Sequence, residues 1–354
     1  MEFAFTDDQR LLAEAVRDAL AKSCPPDVVR TARTDPEARR GPAWRALAEI
    51  GLLGAHVPEE HGGLGLTPVD TVLAYEEIGR AAVPGPVVET AVAAPVILCS
   101  DRLLDEDRDW LPKIATGEAA ISVRTDDMPY LLDADLADLL VVQYAIGAAL
   151  TGPDDAELTP RASADPTRRL FSDHLGHDGE TLVCWRVGPE PHDPEGMRPV
   201  FARAFDHAAL AVAAQLAGAA RRLLDDSVAY AKQRHQFGRP IGSFQAVKHQ
   251  LADVAIAIEF AAPMVYRAAA ALTEEVPTAS RDVSAAKVMA GDAAHRAART
   301  ALQVHGAIGY TEELDLHLWL NRVWALRPAW GDDRLHRARL RAALLDGKGA
   351  VRWP

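Results

Sequence analysis

Phe244, Val247, Leu251, Val254 and Ile258 recur at alternating spacings of three and four residues. That period puts them on one stripe of an α-helix, which a core or a partner must cover. The helical period holds from about residue 205 onward, and the alanine-rich stretches 268–271 and 293–301 favour close helix–helix approach. The first hundred residues read the same way. Thr6, with Gln9 three residues later, resembles a capping box, and Leu11, Leu12, Ala15, Val16, Ala19 and Leu20 then form a stripe ending near Cys24-Pro25-Pro26. A second stripe runs through Trp44, Leu47 and Ile50 to Gly51. The glycine-rich turn His61-Gly62-Gly63-Leu64-Gly65 follows, then a helical run through Val72, Tyr75 and Ile78.

Around residue 116 the texture changes. Ile121-Ser-Val123, Leu139 to Tyr144 and Thr181 to Val187 are short β-branched runs between Asp, Gly and Pro clusters, which are strand signals. Residues 151–180 are polar and irregular and read as exposed connections. The chain therefore divides into a helical part (1–115), a small β part (116–200) and a second helical part (201–354).

At 354 residues the chain exceeds the usual single-core size. No uninterrupted apolar run reaches the eighteen or so residues of a membrane span, and the acidic N-terminus lacks the pattern of a signal peptide. Cys24, Cys99 and Cys184 are scattered and odd in number, which suits a reduced, cytoplasmic protein. A net charge of −13 argues against sequence-independent nucleic-acid binding. One well-placed arginine can still hold a pyrophosphate on such a protein.

Two segments narrow the reading further. One runs from Arg234-His-Gln-Phe-Gly-Arg-Pro-Ile-Gly-Ser-Phe-Gln245 to Asp253, and the other is Gln303-Val-His-Gly-Ala-Ile-Gly-Tyr310. Each closely resembles a signature of the acyl-CoA dehydrogenase flavoproteins. The resemblance extends to the Gly62-Gly63-Leu64-Gly65 turn, the Tyr75-Glu-Glu-Ile-Gly79 helix and the Leu111-Pro112…Gly117-Glu118 boundary. It implies an α+β fold with an N-terminal helical domain, a small middle β-domain and a C-terminal four-helix bundle. It also implies FAD as cofactor, an acyl-CoA thioester as substrate and an electron-transfer acceptor. In that family the two motifs bind the ADP half of an FAD belonging to the neighbouring subunit. Carried over residue by residue, the cofactor set is Arg234, Gln236, Phe237, Gly238, Gln245, Gln303, Gly306 and Ala307. The chemistry fits: an arginine fork for pyrophosphate, an aromatic for the flavin edge, and glycines where backbone meets cofactor. Phe205 and Asp206 resemble the family's acyl-CoA-contacting pair.

The sequence departs from the family in places that matter. Ala307 replaces the second of two adjacent glycines. The family abstracts an α-proton with a glutamate in a Glu-Gly pair, and ungapped counting puts Trp330-Gly331 there. A second family position for the base, at the start of the helix preceding the arginine motif, falls on Ala208. Neither side chain abstracts a proton, so no catalytic residue is assigned. Glu312 and Glu313 read as structural, and Asp206 as a helix N-terminal acid. Thr125-Asp-Asp-Met-Pro129 stands near the family's Thr-Glu-Pro, but no Gly-Ser-Asp loop follows.

The chain thus resembles one subunit of the heterotetrameric actinobacterial type, contributing FAD-binding residues to a homologous partner that carries the base. Two alternatives stay open: a non-catalytic structural subunit, and a flavin-dependent monooxygenase on the same fold. The twelve histidines give no metal set, and no nucleophile elbow or strand-led dinucleotide fingerprint is present.

Overall fold

The computed structural model describes residues 4–144, 147–174 and 194–345. Six α-helices come first: α1 (Asp7–Ser23), α2 (Pro26–Thr31), α3 (Pro42–Glu49), α4 (Pro68–Ala81), α5 (Ala94–Leu98) and α6 (Trp110–Ala115). Six strands follow: β1 (Ile121–Arg124), β2 (Leu131–Leu132), β3 (Leu139–Tyr144), β4 (Gly147–Thr151), β5 (Glu157–Arg161) and β6 (Leu170–His174). Then come α7 (Pro194–Gln233), the hairpin β7 (His235–Gln236) and β8 (Arg239–Pro240), α8 (Gln245–Thr273), α9 (Ala279–His305), α10 (Leu316–Leu326) and α11 (Asp333–Leu345). The helix–sheet–helix order matches the sequence expectation.

These elements pack as two compact units. One is built from Met1–Arg17, Val72–Ala82 and Val212–Pro354, the other from Asp18–Thr71 and Val83–Ala211.

The capping box at the chain start is formed: Thr6 N–H donates to Gln9 Oε1 at 3.0 Å, and Gln9 N–H to Thr6 Oγ1 at 3.3 Å. The stripe behind it needs correction. Ala13, Val16 and Leu20 are buried, with Leu12 and Ala19 at the edges, while Leu11 and Ala15 face solvent. Leu11 lies about 140° around the helix from Val16, too far to share its face.

In the first-named unit, α4 and α7 cross on two glycines. A Cβ on Gly79 would fall 2.0 Å from the Gln215 carbonyl oxygen, and one on Gly218 would fall 1.8 Å from that of Glu76. Only glycine permits so close an approach. Helices α8 and α9 form an antiparallel pair, with α10 and α11 packed on α9. Buried alanines at 268, 269, 271, 293, 294, 297, 298 and 301 set their closeness, as the composition suggested. Of the anticipated α8 stripe, Val254 and Ile258 are buried, and Phe244, Val247 and Leu251 are half-buried. By length and composition α8 is apolar enough to cross a membrane, although charged residues interrupt every longer apolar run in it. It is instead the packing partner of α9 on one face.

The second unit holds the two three-stranded sheets. β1 pairs parallel with β3, which pairs antiparallel with β4; β2, β6 and β5 form an antiparallel set in that order. Stretch 151–180 is therefore not all irregular. β5 and β6 pair from Glu157↔His174 to Arg161↔Leu170, because Phe171 joins Leu131, Leu140 and Val142 in a small core on which Leu158 also packs. Polar residues and Pro160 disguise this edge strand in the sequence. The anticipated strand from Thr181 to Val187 lies outside the described residues. A buried ion pair, Arg39 with Asp133, ties the 3-10 turn Glu37–Arg40 to the loop after β2, and Arg39 also meets Asp135 at 2.9 Å.

Helix α7 begins earlier than expected, at Pro194 rather than near residue 205. Ala208 and Asp206 consequently lie well inside it. Asp206 is not a helix N-terminal acid.

Candidate functional site

The Arg234 motif folds as a hairpin between α7 and α8. His235 pairs with Pro240 and Gln236 with Arg239, leaving a two-residue loop of Phe237 and Gly238. Both loop residues are left-handed, at φ 53° and 79°. That is the twist a two-residue hairpin needs. A phenylalanine at positive φ is uncommon and costs about 1 kcal/mol or more, so the conformation must be held from outside the loop. Phe244 supplies an edge-to-face contact to Phe237 at 6.1 Å, and the Arg239 guanidinium caps the Phe244 ring at 4.1 Å. The result is a Phe237 ring that is 90% exposed. Arg234, Gln236, Gly238 and Gln245, the first residue of α8, are exposed as well.

The second motif closes α9. Gln303 is exposed in the last turn of the helix, and Gly306 follows at φ 64°, ψ −140°, a conformation only glycine adopts without strain. A Cβ on Gly306 or Gly238 would meet nothing within 4 Å. The backbone at both positions is open to a ligand. Ala307 is exposed and is not left-handed, so the departure from a double glycine costs no strain.

The end of α7 that leads into the first motif touches the second. Tyr230, one turn before Arg234, stacks on His305, the residue before Gly306, with ring centroids 4.3 Å apart and 28° between planes. An exposed cation, amide donors, an aromatic ring and open backbone thus gather at one end of this unit. That donor set fits the pyrophosphate-bearing half of a dinucleotide. Sequence reasoning missed Tyr230 and His305, although His305 lies inside the second motif.

Phe205 and Asp206 belong to the other unit, on α7, where both are buried. Beside them His207 is also buried, and burial with His56 facing it pushes its imidazole down to about 3. His56 is itself lowered to about 4 by burial. Its Nδ1 donates to the Leu66 carbonyl at 3.0 Å and its Nε2 accepts from Thr71 Oγ1 at 3.1 Å, a neutral tautomer. The glycine turn 62–65 delivers Leu66 to this pair, since Gly65 N–H and Leu66 N–H donate to the Val57 and Ala55 carbonyls. In the sheets, Asp173 accepts from Tyr144 Oη at 2.7 Å and pairs with Arg124 at 3.0 Å. The buried Thr125 hydroxyl next to Arg124 has no hydrogen-bond partner among the described residues.

The profile of the acyl-CoA dehydrogenase N-terminal domain matches residues 6–118, and that of the C-terminal domain matches residues 195–345. Acyl-CoA dehydrogenase IpdE2 of Mycobacterium tuberculosis is 35% identical over 90% of this chain and 91% of its own length. The chain belongs to the acyl-CoA dehydrogenase family. IpdE2 of Mycolicibacterium smegmatis is 32% identical over 95% of this chain and 99% of its own. Among solved structures, the ChsE4-ChsE5 complex from Mycobacterium tuberculosis contains a chain of the same fold, with TM-score 0.80 at 21% identity over 99% of this chain and 100% of that one. The glutaryl-coenzyme A dehydrogenase glutaryl-CoA complex gives TM-score 0.79 at 22% identity, over 97% and 96%. Acyl-CoA dehydrogenases are flavoprotein oxidoreductases, and the helix–sheet–helix order here is theirs.

The structure places Trp330 and Ala208, the two positions that counting along the sequence offered for a base, in the interior. Trp330 is fully buried and left-handed at φ 53°, followed by Gly331 at 92°. Its carbonyl accepts from His336 Nε2 at 2.9 Å, while His336 Nδ1 faces Ser284 Oγ at 3.2 Å. Ala208 is fully buried too. Glu312 and Glu313 lie at the surface.

Proposed function

We propose that this acyl-CoA dehydrogenase is one subunit of a heterotetramer that α,β-desaturates an acyl-CoA thioester, with a homologous partner supplying the base. The observation that carries the reading is the outward-facing cluster of Arg234, Gln236, Phe237, Gly238, Gln245, Gln303, Gly306 and Ala307. Such a set serves a cofactor held largely by another chain. Arg234 would hold the pyrophosphate of FAD, Phe237 would cover the flavin edge, and Gln303 with the Gly306–Ala307 backbone would take the ADP half. The flavin, when bound, accepts the substrate's β-hydride. Phe205 and Asp206 would contact acyl-CoA. Trp330 and Ala208 offer no proton acceptor, which supports a base from the partner.

A groove of about 730 Å³ between α8 and α9, with Ile256, Phe260 and Met289 exposed, suits packing of four subunits through these helices. The paired chains named in the ChsE4-ChsE5 complex support a partnered assembly. The free thiol Cys99 agrees with a cytoplasmic setting, where an electron-transfer acceptor would reoxidise the flavin. The family layout is read as 1–115, 116–200 and 201–354. In the reconstituted complex, Arg234→Ala should weaken FAD binding by roughly 1.5–3 kcal/mol, the worth of a charge-assisted pyrophosphate contact. Unchanged FAD retention in that variant would refute the reading.

A further inference from the structure

We propose that Tyr230 and His305 form the joint that fixes the spacing of the two cofactor-binding elements, making them positioning residues for the ADP half of FAD. This rests on the function proposed above and deepens it. Arg234 and Gln303 are exposed side chains at the ends of two different helices, α7 and α9. Two such groups bind one ligand well only if their backbones are already held at the right separation, since ordering them on binding is costly.

The stack supplies that hold. Tyr230 O accepts the Arg234 N–H at 2.9 Å, so the tyrosine sits in the turn from which the arginine leaves, and Ile241 N–H closes the hairpin base on Arg234 O at 2.8 Å. On the other side, His305 Nδ1 donates to the Ala301 carbonyl at 2.8 Å, which fixes the ring's rotation. A Cβ on Gly309 would already crowd His305 Cβ at 3.1 Å, so the side chain is backed from behind. The imidazole is 8% exposed, yet its neighbours Gln303, Gly306 and Ala307 are open. A shift of this ring would move the Gly306 backbone directly and the Arg234 hairpin through Tyr230.

FAD and FMN titrations of the deflavinated complex with its partner test the joint, because FMN has no ADP half. His305→Ala and Tyr230→Ala should each weaken FAD by up to about tenfold, the worth of an aromatic stack, and leave FMN affinity unchanged. His305→Phe keeps a flat ring against Tyr230 and should restore FAD affinity. Unchanged FAD affinity in both alanine variants would overturn the proposal. So would equal losses of FAD and FMN, or a His305→Phe variant as weak as His305→Ala. Arg234→Ala in the same titration separates the two ideas. If it weakens FAD while the alanine variants do not, the joint is wrong; if it too has no effect, the function proposed above is wrong.

Discussion

Lys287 Nζ donates to the Gly331 carbonyl at 3.1 Å, and from the same position to the carbonyls of Arg327 at 2.8 Å and Leu326 at 3.3 Å. One buried amine, lowered to about 7 by its burial, therefore gathers the end of α10 and the Trp330–Gly331 turn. His336 holds the same turn from α11 through the Trp330 carbonyl. The Trp330–Gly331 segment is thus a pinned, left-handed turn closed by an indole.

Lys287→Met should leave three carbonyl groups short of a donor. A loss of at least about 2 kcal/mol is expected in urea unfolding, because buried carbonyls without partners are costly. A variant as stable as the parent would show that the turn does not depend on the lysine.

Trp330→Glu should not create a working base. The fully buried indole leaves a cavity when removed, so a loss of about 3–5 kcal/mol is expected from packing alone. Turnover of the complex should not rise. Asp206→Asn should raise the KM for acyl-CoA without the fall in kcat of roughly 10²–10⁴-fold that a lost general base causes. A drop of that size with FAD content intact would make Asp206 the base.

The fold was readable in outline because its largest signals are periodic. The capping box at Thr6, the α8–α9 alanines and the β1 and β3 runs all appear as expected. β5 was hidden because it is a polar edge strand in which Leu158 alone packs on the core, and β6 because only Phe171 in it enters that core, so neither shows a clear alternation. The start of α7 was hidden because Pro194 and Pro199 look like loop residues; proline is accepted in a first helical turn, as at Pro194, but Pro199 lies inside the helix, where sequence reasoning does not expect it. For the candidate site, residue types pointed to Arg234 and Gly306. The Tyr230–His305 stack joins two distant segments, and spacing within either motif cannot show it.

Acid should destabilise the unit carrying His56 and His207. Their folded values, about 4 and about 3, lie below the ordinary 6.5. The unfolded chain therefore takes up protons below pH 6.5 while the folded one does not. Stability is complete above pH 6.5 and falls as pH drops toward 4, by about 1.4 kcal/mol per pH unit for each histidine. His207→Gln should flatten that slope in thermal scans at pH 7, 6 and 5; an unaltered slope would remove His207 from the cause.

If the proposed heterotetramer packs through α8 and α9, Phe260→Asp should split it. The ring is 68% exposed in the α8–α9 groove, and a carboxylate there would resist burial in an interface. Light scattering should show a half-size particle that keeps its FAD. An undiminished mass would move the interface elsewhere.

Flavin content tests the central claim most directly. Purified by itself, the chain should be nearly colourless, and with its homologous partner it should carry one FAD per heterodimer. A yellow chain holding one FAD per polypeptide without the partner would contradict the shared-site reading.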